Sequence, residues 1–147
     1  ASLVVIAFAA WLIKRLCEEH LLVDAQMVTA LTLLLISPVS WSHHWVWLTL
    51  IIPVFIYRAW TWLPSGWAAG SLLTVLIAWA AMLLTVPPKW WWGDQVDVHA
   101  MERYQKFWVD DFVWLTILTV ALFAAAFYAS QRNSRNANTA TPAPLAS

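Results

Sequence analysis

Long apolar runs alternate along this chain with short clusters of charge, proline and tryptophan, so run length defines its elements better than any amphipathic period does. The runs predict membrane-spanning helices over about residues 1–13, 23–41, 44–63, 67–86 and 112–130. Ala1 to Ile13 would reach only about 20 Å at 1.5 Å per residue, against a hydrocarbon layer of roughly 30 Å. The first helix therefore reads as severed, and the chain as the C-terminal part of something longer. The opening "ASLVVIAFAAWLIKR" lacks the basic stretch that precedes the apolar core of a secretory signal.

Boundary residues refine these elements. Pro38 should end the second helix, since the residue before a proline is pushed out of the α region, and Ser42 is placed to cap the third. Pro53 inside the third helix predicts a kink, and Arg58 near its far end can extend its guanidinium to the headgroups. Between Pro87 and Asp111 the loop opens on a tryptophan triplet, then sets Val98, Met101, Tyr104 and Trp108 at helical spacing, which predicts an interfacial helix. Asp110 and Asp111 suit the N-terminus of the last helix. From 131 to 147 the residues are polar with no apolar period, and a disordered cytoplasmic tail is expected.

Composition turns these helices into a fold class. The 147 residues are 62% hydrophobic and 11% charged, with 13 tryptophans, more apolar surface than one small soluble core hides. An all-α, polytopic transmembrane bundle follows. The net charge is zero and the eight basic residues form no dense cluster, which argues against a nucleic-acid partner. Cys17, the single cysteine, is expected as a small buried hydrophobe. With alternating spans, Lys14, Arg15, Arg58, Arg132 and Arg135 share one side, which should be cytoplasmic, while Lys89, Arg103 and Lys106 share the other.

That orientation puts "SPVSWSHHWVW", Ser37 to Trp47, on the extracytoplasmic face beside the long loop. Three uses of it compete. Trp41, Trp45 and Trp47 suit an aromatic belt at headgroup depth, with the histidines merely wet. A metal or haem site is a weaker use, because adjacent His43 and His44 chelate one ion poorly, while His20 and His99 lie apart from them. No metal-ligand spacing, glycine-rich phosphate loop or internal repeat occurs, and no cofactor is expected. In the third use, an imidazole stabilises a leaving lipid phosphate while indole faces stack on a sugar. Adjacent helical side chains point about 100 degrees apart, so one histidine would face the site. Sugar transfer also needs a carboxylate base, and no acidic residue here is a convincing one.

The run "LLISPVSWSHHWVWLTLIIP", Leu34 to Pro53, resembles a motif near the C-terminal end of glycosyltransferase family 87, the polytopic mannosyltransferases of mycobacteria and related actinobacteria. The resemblance implies a C-fold glycosyltransferase in the plasma membrane, with its active site open to the extracytoplasmic side. Its donor would be polyprenyl phosphate mannose. Its acceptors would be cell-wall glycolipids and lipoglycans: phosphatidylinositol mannosides, lipomannan and lipoarabinomannan. It also implies a catalytic aspartate in an early loop, in a missing N-terminal part of the same protein, and this accounts for the absent base. Carried over are His43 and His44 as catalytic candidates, His43 first for the lipid phosphate, and Trp41, Ser42 and Trp45 as substrate contacts. The alternative is a non-catalytic membrane module or a truncated gene product.

Overall fold

The computed structural model describes residues 2–36, 46–85 and 111–140, and within them the chain is all helical. Five α-helices follow in order: α1 (Ser2–Glu18), α2 (Leu22–Ile36), α3 (Leu48–Trp62), α4 (Trp67–Thr85) and α5 (Asp111–Ala140). Two carry stretches long and apolar enough to cross a membrane, Trp67–Leu84 and Val113–Thr139, and Leu22–Ile36 is a shorter apolar helix.

α1 and α2 form a tight hairpin. His20 takes a left-handed φ of 59°, its N–H donates to the Cys17 carbonyl at 3.1 Å, and the Leu21 N–H donates to the Leu16 carbonyl at 2.9 Å. This pairing satisfies carbonyls that a helix end leaves open, and it brings Leu21 back against the core that holds buried Leu16. The Leu21 carbonyl then accepts from the Ala25 N–H at 3.0 Å, which starts α2.

α3 and α4 are joined by a single 3-10 turn, Leu63–Ser65, and Gly66. Gly66 has φ 128° and ψ −168°, a region side chains avoid, and its N–H donates to the Leu63 carbonyl at 3.2 Å. The Ser65 hydroxyl donates to the Trp62 carbonyl.

α4 packs broadly on both α3 and α5, and α1 packs broadly on α2; α2 touches α3 and α5 more slightly. Phe55, Trp79 and Phe123 are fully buried, and the Phe55 and Phe123 rings stack at 4.3 Å. Large apolar side chains also cover the outside, among them Leu3, Leu33, Trp67 and Leu84. Two hydroxyls of α2 turn back on their own helix: Thr29 and Thr32 donate to the Ala25 and Val28 carbonyls at 2.8 and 2.7 Å. Such back-bonding satisfies a hydroxyl where no water is at hand.

Several expectations change. α1 runs five residues past Ile13, carrying Lys14 and Arg15 on its last turns. α2 is described as far as Ile36, and the helical assignment of α3 runs on through Pro53, which sits on the exposed side. α5 continues ten residues beyond Ser130, so residues 131–140, expected as disordered tail, are helical. Ser134 and Thr139 hydroxyls donate to the Ser130 and Asn136 carbonyls, and Gln131, Arg132, Arg135 and Asn136 line a cleft against α1. Cys17 is exposed on α1 rather than buried. The interfacial helix expected around Val98 to Trp108, the Ser42 cap and Asp110 lie outside the described residues.

Candidate functional site

Trp41, Ser42, His43, His44 and Trp45 also lie outside the described residues. The helix ends on either side of them are described. Ile36 closes α2, and after Val46 and Trp47 in a 3-10 turn, α3 begins at Leu48, where the Thr49 hydroxyl donates to the Val46 carbonyl at 2.7 Å. A groove of 560 Å³ runs along α2 toward this point, lined by Gln26, Thr29, Leu33 and Trp47 among others. Its walls are mainly apolar, with the Gln26 amide and the half-exposed Trp47 indole as polar handles.

This end of the bundle differs in chemistry from the other. α1 begins here, where Val4 and Phe8 share an apolar cavity of 170 Å³ with Thr32 and Leu35 near the end of α2 and Ile117 near the start of α5. The helix ends flanking residues 86–110, Thr85 and Asp111, belong to the same end. The opposite end gathers Lys14, Arg15, Glu18, Glu19, Asp24, Arg58, Arg132 and Arg135, so the basic residues grouped by alternating spans do share one end of the bundle.

At that end stands a pair that run length alone does not reveal. Asp24, fully buried in the first turn of α2, accepts from Arg58 Nε at 2.9 Å and from Arg58 Nη2 at 2.5 Å. The fork geometry matches both carboxylate oxygens at once. Arg58 also lies over the Trp62 ring at 5.5 Å, and Trp62 packs on Phe123 and Phe127 of α5 at 5.2 and 6.0 Å. Arg58 thus turns inward to a partner 34 residues away instead of reaching to the headgroups. The sequence signal for this was a lone carboxylate just inside an apolar run, which demands a partner in a low-dielectric setting.

The pair matters to the chemistry in a negative way. Both Asp24 oxygens are engaged, and Glu18 and Glu19 sit at the same end, away from the flanks of the histidine motif. All three carboxylates thus lie at the end of the bundle opposite the helix ends that flank residues 37–45. Among the described residues no group of three His, Cys, Asp or Glu side chains is gathered to hold a metal ion.

A second polar feature lies beside the pair. A cleft of 330 Å³ between α1 and α5 is lined by Arg15, Glu19, Tyr128, Arg132 and Arg135 with neighbouring residues. The Tyr128 phenol, and after it the Glu18 carboxylate 2.8 Å away, push the Arg15 guanidinium pKa up. Tyr128 does so by proximity, since its oxygen has no partner aligned for an ordinary hydrogen bond.

Known proteins supply the remaining observation. The chain is 27% identical over 151 aligned positions, covering 99% of its length, to a Mycobacterium tuberculosis protein named polyprenol-phosphate-mannose-dependent alpha-(1-2)-phosphatidylinositol mannoside mannosyltransferase. It is 35% identical over 86 positions to a Mycobacterium tuberculosis phosphatidylinositol pentamannoside mannosyltransferase, and 35% identical over 86 to a Mycolicibacterium smegmatis phosphatidylinositol mannoside mannosyltransferase, both named as dependent on the same donor. These alignments cover 58% and 51% of this chain. The chain spans 33%, 17% and 20% of the lengths of these three curated relatives. No protein-family model and no solved structure matches it.

Proposed function

We propose that this chain is part of a membrane mannosyltransferase that moves mannose from polyprenyl phosphate mannose to a phosphatidylinositol mannoside or a lipoglycan built on one. The observation that carries the reading is the similarity along 99% of the chain to an enzyme named for that donor and that acceptor. The apolar stretches of α4 and α5, and the apolar residues covering the outside of the bundle, support a multi-pass placement in the plasma membrane. The gathering of basic residues at one end supports a cytoplasmic side there, and hence an extracytoplasmic side for the end that flanks Trp41 to Trp45.

In this reading His43 stabilises the leaving phosphate of the donor, with His44 as the other candidate, while Trp41, Ser42 and Trp45 contact the sugar or the lipid head. The base that activates the acceptor hydroxyl comes from outside the described residues, in keeping with the commitment of Asp24 to Arg58. The shared resemblance of Leu34 to Pro53 to glycosyltransferase family 87 points the same way.

The test is His43→Ala and His44→Ala made singly in the longest open frame that encodes this chain, followed by mannose transfer from a polyprenyl donor in isolated membranes. One variant should lose about 100-fold or more in transfer. Full activity in both would remove the histidines from the mechanism. A non-catalytic membrane module is the second reading. An open frame without further spans or an additional acidic loop would decide for it.

A further inference from the structure

The cleft between α1 and α5 has no role in sugar transfer at the other end of the bundle, and its composition is unusual for a helix seam. Arg15, Arg132 and Arg135 line it against one carboxylate, Glu19, so positive charge is in excess in its wall. Arg15 already pairs with Glu18 at 2.8 Å, but among the described residues Arg132 and Arg135 have no carboxylate within ion-pair reach. Tyr128, Arg132 and Arg135 follow one another at i, i+4 and i+7, so α5 presents them on one face toward Arg15. The Tyr128 phenol stands beside Arg15 in the same wall.

Below this basic rim the surface turns aromatic. Tyr128 stacks on Trp11 at 5.4 Å, and Trp11 meets Phe8 at 5.6 Å. Both α1 rings are exposed, Trp11 at 46% and Phe8 at 38%. Phe8, Trp11 and Arg15 lie on one helix face and rise by about 10 Å from the first to the last. A cationic pocket therefore stands at the head of an apolar strip that runs toward the middle of the bundle.

We propose that this cleft binds the headgroup phosphate of an anionic phospholipid, with one acyl chain lying along Trp11 and Phe8. A free phosphate would satisfy the arginines and leave the aromatic strip uncovered. A zwitterionic lipid would cover the strip while bringing a cation against the arginines. An anionic phospholipid matches both halves, and it is abundant in the leaflet that a basic end faces. The inference rests on the membrane placement proposed above, but not on the sugar-transfer chemistry.

The test uses the full chain in detergent, with phosphatidylglycerol, phosphatidylcholine and inorganic phosphate as separate probes and bound lipid counted by native mass spectrometry. Phosphatidylglycerol should bind at least tenfold tighter than phosphatidylcholine, and inorganic phosphate at equal concentration should not displace it. Arg132→Gln and Arg135→Gln should each weaken phosphatidylglycerol about fivefold. The Arg132→Lys/Arg135→Lys pair, which keeps the charge, should stay within a few-fold of the parent. Lys14→Gln removes an exposed basic residue outside the cleft and should change affinity less than twofold. Equal binding of the two lipids, displacement by phosphate, or a Lys14→Gln loss as large as that of the cleft arginines would each overturn the proposal. Carbonate extraction of the chain from membranes separates the two failures: a chain washed off the bilayer sinks the membrane placement and this site together, whereas an integral chain without lipid preference sinks the site alone.

Discussion

The α1–α2 hairpin and the α3–α4–α5 unit are each held by broad apolar packing, but the seam between them is held differently. Inside the larger unit, Phe55, Trp79 and Phe123 fill the space between helices. Across the seam, contacts of α2 with α3 and α5 are slight, and specific links stand out: the Asp24–Arg58 fork and the Trp11–Tyr128 stack. Lipid is as apolar as leucine, so oily faces alone say little about which helix should lie beside which. A charged fork and an aromatic stack fix the arrangement where oil cannot.

Breaking the fork should have the largest effect. Asp24→Ala leaves the Arg58 guanidinium in a partly buried site with no carboxylate, and the cost should be about 3 kcal/mol in a detergent unfolding titration. Replacing both partners, Asp24→Leu with Arg58→Met, removes the orphaned charge along with the pair. Most of the stability should then return. If the double variant is as unstable as the single one, the fork is not what holds the seam.

The aromatic link is weaker by its nature. A cycle of Trp11→Ala, Tyr128→Ala and the double variant should give a coupling of about 1 kcal/mol, in line with stacked rings elsewhere. A coupling near zero would leave the fork as the dominant tie between the two regions, and would also weaken the case for a rigid aromatic strip beneath the arginine cleft.

Sequence reading reached these regions unevenly, for physical reasons. Run length found α4 well because no charge interrupts Trp67 to Thr85, and an apolar run of that length has few alternatives to a helix. Arg58 was legible as a charge near a helix end but not as half of a pair, since hydropathy averages over a window and carries no information about a residue 34 positions away. The end of α5 was misread because Gln131 to Ala140 has weak intrinsic helix preference and no apolar period, whereas the helix there continues one already formed by the apolar run before it. Of the candidate site, the Trp41 to Trp45 stretch was legible only through residue type and resemblance. What the structure adds there is its frame: helix ends at Ile36 and Trp47, and a groove along α2 that reaches Trp47.

The smallest effect concerns the turns that close each region, and its sign is the informative part. Gly66 closes the α3–α4 turn at φ 128°, whereas the α1–α2 turn places His20, a residue with a Cβ, at φ 59°. The left-handed region costs a side chain about 1 kcal/mol or more, and glycine escapes that while losing up to about 1 kcal/mol in unfolded-chain entropy. His20→Gly should therefore stabilise the protein by roughly 0.5 kcal/mol in the same titration. A loss of stability instead would mean that the imidazole makes a contact across the hairpin worth more than the backbone strain it imposes, and the hairpin would then depend on a polar tie just as the seam does.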